Sequence, residues 1–202
     1  MAINRLSQSS VQNAFPKYNS LWDGKSAVGS MDAISSIEVS TATSSVTFNS
    51  IPSTYTHLQF RIFAQCNRGT VGVDALKFTF NGVGGTSYAG HNLRGDGAGA
   101  PIAGGDGSGA LLSFARVVGT STGGSFGVCL IDIFDYASTV KNKTVRGLGG
   151  VDVNGTVGGV GGSVGLSSGL FNSTDAISSV TFIPDGGTLF NQYSSFVLYG
   201  VK

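Results

Sequence analysis

The sequence predicts an all-β protein, a jelly-roll-like antiparallel β-sandwich with an extended N-terminal arm. Charged residues make up only 11% of the 202 residues, and 32 residues are glycine, whereas an average soluble domain is about 25% charged. Runs rich in Phe, Val and Ile alternate with Gly, Ser and Asn turns, which is typical of many short strands. Beyond residue 30 no segment keeps a helical period.

The clearest strand covers residues 55–66. One of its two faces is apolar and consists of Leu58, Phe60, Ile62, Ala64 and Cys66. Alternation of this length indicates an antiparallel strand with one face on a core and the other in solvent, although Phe63 breaks the pattern. Residues 76–80 repeat it, and Asn81-Gly82 then supplies a turn signal.

The remaining strands are expected wherever short apolar runs lie between turn residues. They cover residues 36–40, 45–49, 87–93, 111–118, 126–134, 143–149, 163–170, 179–183 and 196–201. Residues 126–134 are apolar on both faces, so we expect a central strand that is covered on each side. The last strand is expected to be paired within a sheet, since termini fray unless they are held.

The segment from Gly147 to Gly169 contains ten glycines. Glycine weakens a strand but permits bulges and the close approach of another backbone. Two interpretations therefore remain open for this segment: a mobile surface loop or a contact with another subunit.

Domain organisation follows from the contrast between residues 1–30 and 31–202. The first segment carries apolar side chains without strand alternation: Leu6, Val11, Phe15, Tyr18, Leu21 and Trp22. Pro16 argues against one continuous helix, because it disfavours the helical conformation of the preceding residue. These side chains either fold back on the sandwich or bury in a neighbouring subunit. We expect the second outcome, with residues 1–30 as an anchoring arm and residues 31–202 as the sandwich.

Charge and composition exclude several classes of function. A net charge of +1 gives no electrostatic footprint for nucleic acid. No apolar run reaches the ~18–20 residues of a membrane helix, and the first residues lack the apolar core of a signal peptide. We therefore expect synthesis in a cytoplasm and no membrane insertion. Two His and two Cys without ligand spacing predict no metal and no cofactor, and Cys66 and Cys129 are expected to be buried thiols rather than a disulfide.

Two groups of residues are candidates for chemistry. Tyr88, His91, Arg94 and Asp96 could form a glycan-binding patch, with a stacking ring beside hydrogen-bonding groups. The other interpretation of this segment is a strand followed by a glycine-rich turn, which the sequence favours. Asp132 interrupts an apolar run, but pairing with Arg116 or Arg146 explains it without catalysis. No nucleophile elbow or catalytic triad spacing is present, so we expect no catalytic residues and no enzyme.

Several blocks of the chain resemble small structural proteins from the virions of tailed bacteriophages, many from aquatic hosts. The blocks are residues 51–60, 80–82, 91–97, 133–136, 143–146 and 191–202, together with residues 3–6 and 11–18 in the arm. The resemblance implies a non-enzymatic virion component, either a tail-fibre-like appendage or a head-decorating (cement) protein. We accordingly expect other virion proteins as partners through residues 1–30, and a symmetric homo-oligomer, a trimer. Host-surface glycan is the partner in the alternative interpretation as a carbohydrate-binding module.

Overall fold

The computed structural model describes residues 30–97 and 99–202. Within this range the chain forms twelve strands and no helix, so the all-β prediction is confirmed. Residues 31–202 form one compact unit. The strands are β1 (Met31–Glu38), β2 (Val46–Phe48), β3 (His57–Cys66), β4 (Val73–Phe80), β5 (Tyr88–Gly95), β6 (Ile102–Gly109), β7 (Leu112–Thr120), β8 (Gly127–Phe134), β9 (Lys143–Val157), β10 (Val160–Phe171), β11 (Val180–Pro184) and β12 (Ser195–Val201).

The twelve strands belong to one mixed sheet that consists of two antiparallel ladders. The larger ladder has the order β1-β12-β3-β8-β9-β10-β5-β6, and the smaller ladder has the order β2-β11-β4-β7. A short parallel pairing joins them, with Gln65 opposite Gly119 and Cys66 opposite Thr120. The last strand, β12, is paired on both sides by β1 and β3, as predicted.

Aromatic side chains from the two ladders meet in the core. The Phe60 ring of the larger ladder lies 5.2 Å from Phe48 and 5.0 Å from Phe182 of the smaller ladder, with both pairs edge to face. Farther along, Phe80 of β4 lies 5.3 Å from Phe171 of β10. All these rings are almost completely buried. Edge-to-face pairs add about 0.5–1.5 kcal/mol each beyond the burial of their area, so this cluster holds the two ladders together.

Asn81 and Gly82 form a tight turn, but the strands on either side of it, β4 and β5, do not pair as a hairpin. Both residues have positive φ, and the Val83 amide donates to the Phe80 carbonyl at 2.9 Å. The Asn81 Oδ1 accepts the amide of Ser178 at 2.8 Å, which fixes the turn to the segment before β11. The chain then crosses from β4 in the smaller ladder to β5 in the larger ladder, because the two strands pair with other partners.

Three details of the sequence prediction need correction. Strand β6 was not predicted, since its sequence is mostly small residues. Residues 147–169 form a hairpin of two long strands inside the larger ladder rather than a loop, because β9 is paired with β8 and β10. Strand β8 is central in its ladder, but it is covered on one side only within residues 30–97 and 99–202, where Val128 is 53% exposed.

Candidate functional site

The face of the larger ladder that points away from the aromatic core carries an apolar surface, and we call it the outer face. Four leucines stand directly opposite one another on neighbouring strands. They are Leu130 on β8, Leu148 on β9, Leu166 on β10 and Leu93 on β5. Directly opposed residues of an antiparallel pair share one face, so these side chains form one continuous line, the leucine row. Three of them are about half exposed, at 53%, 47% and 51% for β9, β10 and β5.

Strand β10 places its side chains opposite to the usual arrangement. Leu166 and Val164 point outward, whereas the buried positions between and beside them are Gly165, Ser167 and Ser163. Antiparallel sheets with one solvated face normally place apolar residues inward and polar residues outward. In residues 163–169, the larger apolar side chains lie on the side that the smaller ladder does not cover, whereas Phe171 at the end of the strand points into the core.

Close approach of the smaller ladder explains the small inward residues. A Cβ atom on Gly169 would lie 2.6 Å from the Leu112 Cδ2 atom, and a Cβ on Gly147 would overlap the Phe114 ring. Leu112 and Phe114 belong to β7 and are buried. The volume beneath Gly147 and Gly169 is therefore filled from the opposite ladder, which leaves room only for small inward residues at these points.

Next to the leucine row, the outer face contains an open groove of about 850 Å³. Its floor includes Val128 and Val164, which are 53% and 61% exposed. The rings of Phe63 and Phe126 line the groove and stack with centroids 4.8 Å apart. The exposed Phe63 that interrupted the alternation of β3 therefore belongs to this surface.

Arg61 and Tyr199 also line the groove, and the guanidinium carbon of Arg61 lies 5.0 Å from the centre of the Tyr199 ring. This contact holds the long side chain against the sheet, where its stem covers apolar surface. Aromatic residues and arginine are enriched at protein interfaces. The groove therefore combines an apolar floor with the side chains that most often anchor a protein partner.

A row of polar side chains runs beside the leucine row and consists of Gln59, Asp132 and Arg146, which we call the polar row. Its members form hydrogen bonds and an ion pair with one another. Asp132 accepts a hydrogen bond from Gln59 Nε2 at 2.9 Å and forms an ion pair of 2.7 Å with Arg146 Nη2. Gln59 Oε1 in turn accepts from Arg61 Nε at 3.2 Å. Of the two partners that the sequence offered for Asp132, the structure confirms Arg146, which removes the reason to treat this carboxylate as catalytic.

The predicted glycan patch does not form as a single surface. Tyr88 is 1% exposed, receives the Phe80 amide at its hydroxyl at 2.9 Å, and stacks on Phe171 inside the core. Because successive side chains of a strand point to opposite faces, Arg94 shares the face of Tyr88 whereas His91 lies on the outer face. The less favoured interpretation, with Tyr88 as a stacking platform, is wrong because its ring fills the core, and the strand that the sequence favoured is confirmed as β5. Asp96 follows β5 and is half-buried.

The predicted anchors of the arm, Leu6, Val11, Phe15, Tyr18, Leu21 and Trp22, lie outside the described residues. Their role as partner-binding residues stays a prediction.

The two cysteines are free and buried, as predicted. Burial raises the pKa of Cys66 and that of Cys129 to about 12, so both thiols stay protonated and are poor nucleophiles. The Cys66 thiol donates to the buried carboxylate of Asp74 at 3.2 Å, and Arg68 Nη1 donates to the same carboxylate at 2.8 Å. Amides of Gly186 and Gly187 also donate to it, so this cluster joins two loops and has a structural role.

Lys143 is also buried, and its Nζ donates to the carbonyls of Lys141 at 2.7 Å and Ser173 at 3.4 Å. Loss of hydration lowers the pKa of Lys143. Among the described residues, no three His, Cys, Asp or Glu side chains are grouped closely enough to hold a metal ion. No helix in the same part of the chain has the length and apolar character to cross a membrane.

No protein-family model, curated protein or solved structure matches this chain. Sequence reasoning missed the outer face, although one signal was present. In residues 163–170 the positions that alternate with Val164 and Leu166 hold only glycine and serine. This pattern indicates that the strand has two different faces, but it does not indicate which face another layer covers.

Proposed function

We propose that the chain is a non-enzymatic structural component of a tailed-phage virion. The observation that carries the proposal is the outer face, where a leucine row and an apolar groove lie side by side. Monomeric soluble proteins rarely expose apolar patches larger than a few hundred Å², so a surface of this kind suits a protein that works by contact with other proteins. The blocks that resemble phage virion proteins give the class of assembly.

The finer architecture in this proposal is a jelly-roll-like β-sandwich, in which the two ladders are the two layers. The contacts of Phe60 and Phe171 with rings of the smaller ladder support this arrangement, since facing sheets pack through interdigitated side chains. The sandwich would be displayed on the particle as a tail fibre or appendage, or as a capsid decoration (cement) protein. It would assemble in the host cytoplasm as a homo-oligomer, for which we predict a trimer.

Attachment in this proposal runs through residues 1–30, whose six apolar side chains would bury in other virion proteins. Large apolar and aromatic side chains are the usual anchors of an interface. Strand β12 is held on both sides in the larger ladder, so its backbone hydrogen-bonding groups are already used. The opposite end of the chain is the better candidate for the attachment.

The test localises the protein on particles of the phage that encodes it. An antibody raised against the purified chain should label intact particles in electron micrographs, and the chain should co-sediment with them. Replacing Phe15 and Trp22 by Ser in the full chain should remove the protein from particles. The matched control is Tyr193→Ser, which changes an aromatic residue that is 64% exposed in the described part. If particles lack the wild-type protein, the virion role is wrong. If the Phe15/Trp22 variant is incorporated normally, attachment through residues 1–30 is wrong.

The alternative function, a carbohydrate-binding module, is not favoured by the geometry of its own residues. Tyr88 is buried, and His91 lies on the face opposite to that of Arg94. A sugar ring that stacks on an aromatic side chain needs that side chain at the surface. We therefore propose no second function from this patch.

A further inference from the structure

We infer that the outer face of the larger ladder is the surface through which copies of this chain bind one another. This inference rests on the homo-oligomer of the proposed function and names its contact. Because the same face of both copies takes part, the contact is two-fold, so the assembly it predicts is a dimer and not the trimer expected from the sequence. The occupant of the leucine row and the groove is thus the outer face of a second copy.

The first argument is the direction of the apolar side chains in the β9–β10 hairpin. Leu148, Val164 and Leu166 are 47–61% exposed, and the inward positions of β10 between them are glycine and serine. Covering each of these half-exposed side chains is favourable, since about 25 cal/mol is gained per Å² of apolar surface removed from water. Within one copy these side chains stay about half in water, whereas an assembly that covers the face removes them from it.

The second argument is the size of the face. Eight strands spaced ~4.8 Å apart span about 34 Å, and four rows of outward residues along each strand span about 20 Å. The projected area is thus on the order of 700 Å². A stable protein–protein contact buries about 800 Å² on each partner, so a second face of equal size covers this surface with one contact of ordinary dimensions.

The third argument is charge. On the five central strands β3, β8, β9, β10 and β5, the outward charged residues are Arg61, Arg146, Asp132 and Asp152. Two positive and two negative groups leave this part of the face without net charge, and Arg146 already neutralises Asp132 at 2.7 Å. A strongly charged partner finds no complement here. A second copy offers the same apolar area and the same balance of charge, as a self-complementary contact requires.

The mode of contact follows from the sheet. Two sheets pack face to face about 10 Å apart, with their side chains interdigitated. In such a contact the leucine rows of the two copies meet near the symmetry axis, and the groove between Phe63 and Tyr199 receives outward side chains of the other copy. The polar row through Asp132 lies at the rim of this contact, where its hydrogen bonds are already made.

The experiment measures the mass of the full-length chain in solution by sedimentation velocity across a dilution series. Wild-type protein should self-associate into one species of defined mass. Leu148→Asp should weaken that association by about a hundredfold or more, because it places a charge at the centre of each contacting face. The matched control is Val140→Asp, which changes an apolar residue that is 81% exposed in the loop between β8 and β9; its association should equal that of wild type.

Circular dichroism and a thermal melt of each variant establish that it is folded. If Leu148→Asp does not fold, Leu148→Thr decides the question, since threonine favours strands but removes apolar surface; it should weaken association by about tenfold. A monomeric wild-type chain at every concentration would overturn the inference, as would association of a folded Leu148 variant equal to that of wild type. So would a face that binds a different virion protein while the chain itself stays monomeric. Labelling of phage particles tests the virion role separately, so the two proposals can fail independently.

Discussion

Strands β3 and β10 belong to the same ladder but distribute their side chains in opposite ways. On β3, Phe60 and Ile62 point inward and are buried, while Gln59 and Arg61 point outward. On β10, Leu166 points outward and is 47% exposed, and its buried neighbours are glycine and serine. On both strands burial alternates from one residue to the next, so the difference lies in what covers each face.

The comparison shows that period-two alternation reports a two-sided strand but does not report which side is the core. Beneath β3, the smaller ladder leaves room for the Phe60 ring between Phe48 and Phe182. Beneath β9 and β10, Phe114 and Leu112 of β7 fill the space and meet the glycines directly. The large side chains of β10 are then available on the outer face, where they form a surface for a partner.

The largest expected effect is the difference in stability loss between truncating an inward ring and truncating an outward leucine. Phe60→Ala should lower the free energy of unfolding by about 3–5 kcal/mol, because it removes a fully buried ring and leaves a cavity. Leu148→Ala should lower it by less than about 0.5 kcal/mol, since an exposed side chain loses few contacts. Urea unfolding of both variants, at a dilution where the chain is a single copy, measures the difference. Equal losses would mean that Leu148 is buried within its own subunit.

A second expected effect is a dependence of the free energy of unfolding on pH, which arises from a thiol on the inward face of the larger ladder. Burial raises the pKa of Cys129 from 9.0 to about 12, so between these values the folded chain retains a proton that the unfolded chain releases. The unfolded state then binds fewer protons, and the free energy of unfolding falls as pH rises, by about 1.4 kcal/mol per pH unit for this thiol. Urea unfolding at a series of pH values above 9.0 measures that slope.

The matched variant for this titration is Cys129→Ala, which removes the thiol but leaves Cys66 in place. Its slope against pH should be smaller than that of the wild type by the contribution of one thiol. Identical slopes would show that the Cys129 thiol does not carry a raised pKa.

The smallest expected effect concerns the polar row of the outer face. Asp132 and Arg146 form an ion pair whose arginine is 60% exposed, so a double-mutant cycle with Asp132→Asn and Arg146→Gln should give a coupling of about 0.2–1 kcal/mol. Added salt should reduce it further. A coupling well above this range that salt leaves unchanged would place the polar row beneath a covering subunit rather than beside the apolar contact.

Most strands could be predicted because their signals are local. The alternation of residues 57–66 and the buried run of β12 place large side chains on one face, and the tertiary structure uses that same face as the core. Strand β6 could not be predicted in this way, since its small residues carry little apolar contrast. The sequence could not place the Tyr88 ring either, since a tyrosine at a strand start is compatible with a surface platform and with a buried ring.

The sequence by itself determined the all-β class, the positions of most strands, the buried thiols and the two possible partners of Asp132, because these depend on composition, alternation and a short list of possible partners. Only the tertiary structure decided which face of β9 and β10 is covered, that four leucines from four strands stand in one row, and that Tyr88 lies inside. Register and the order of strands in a ladder bring together residues that are far apart in the chain. A pattern within one strand has no information about the strand that will lie beside it or the layer that will lie beneath it.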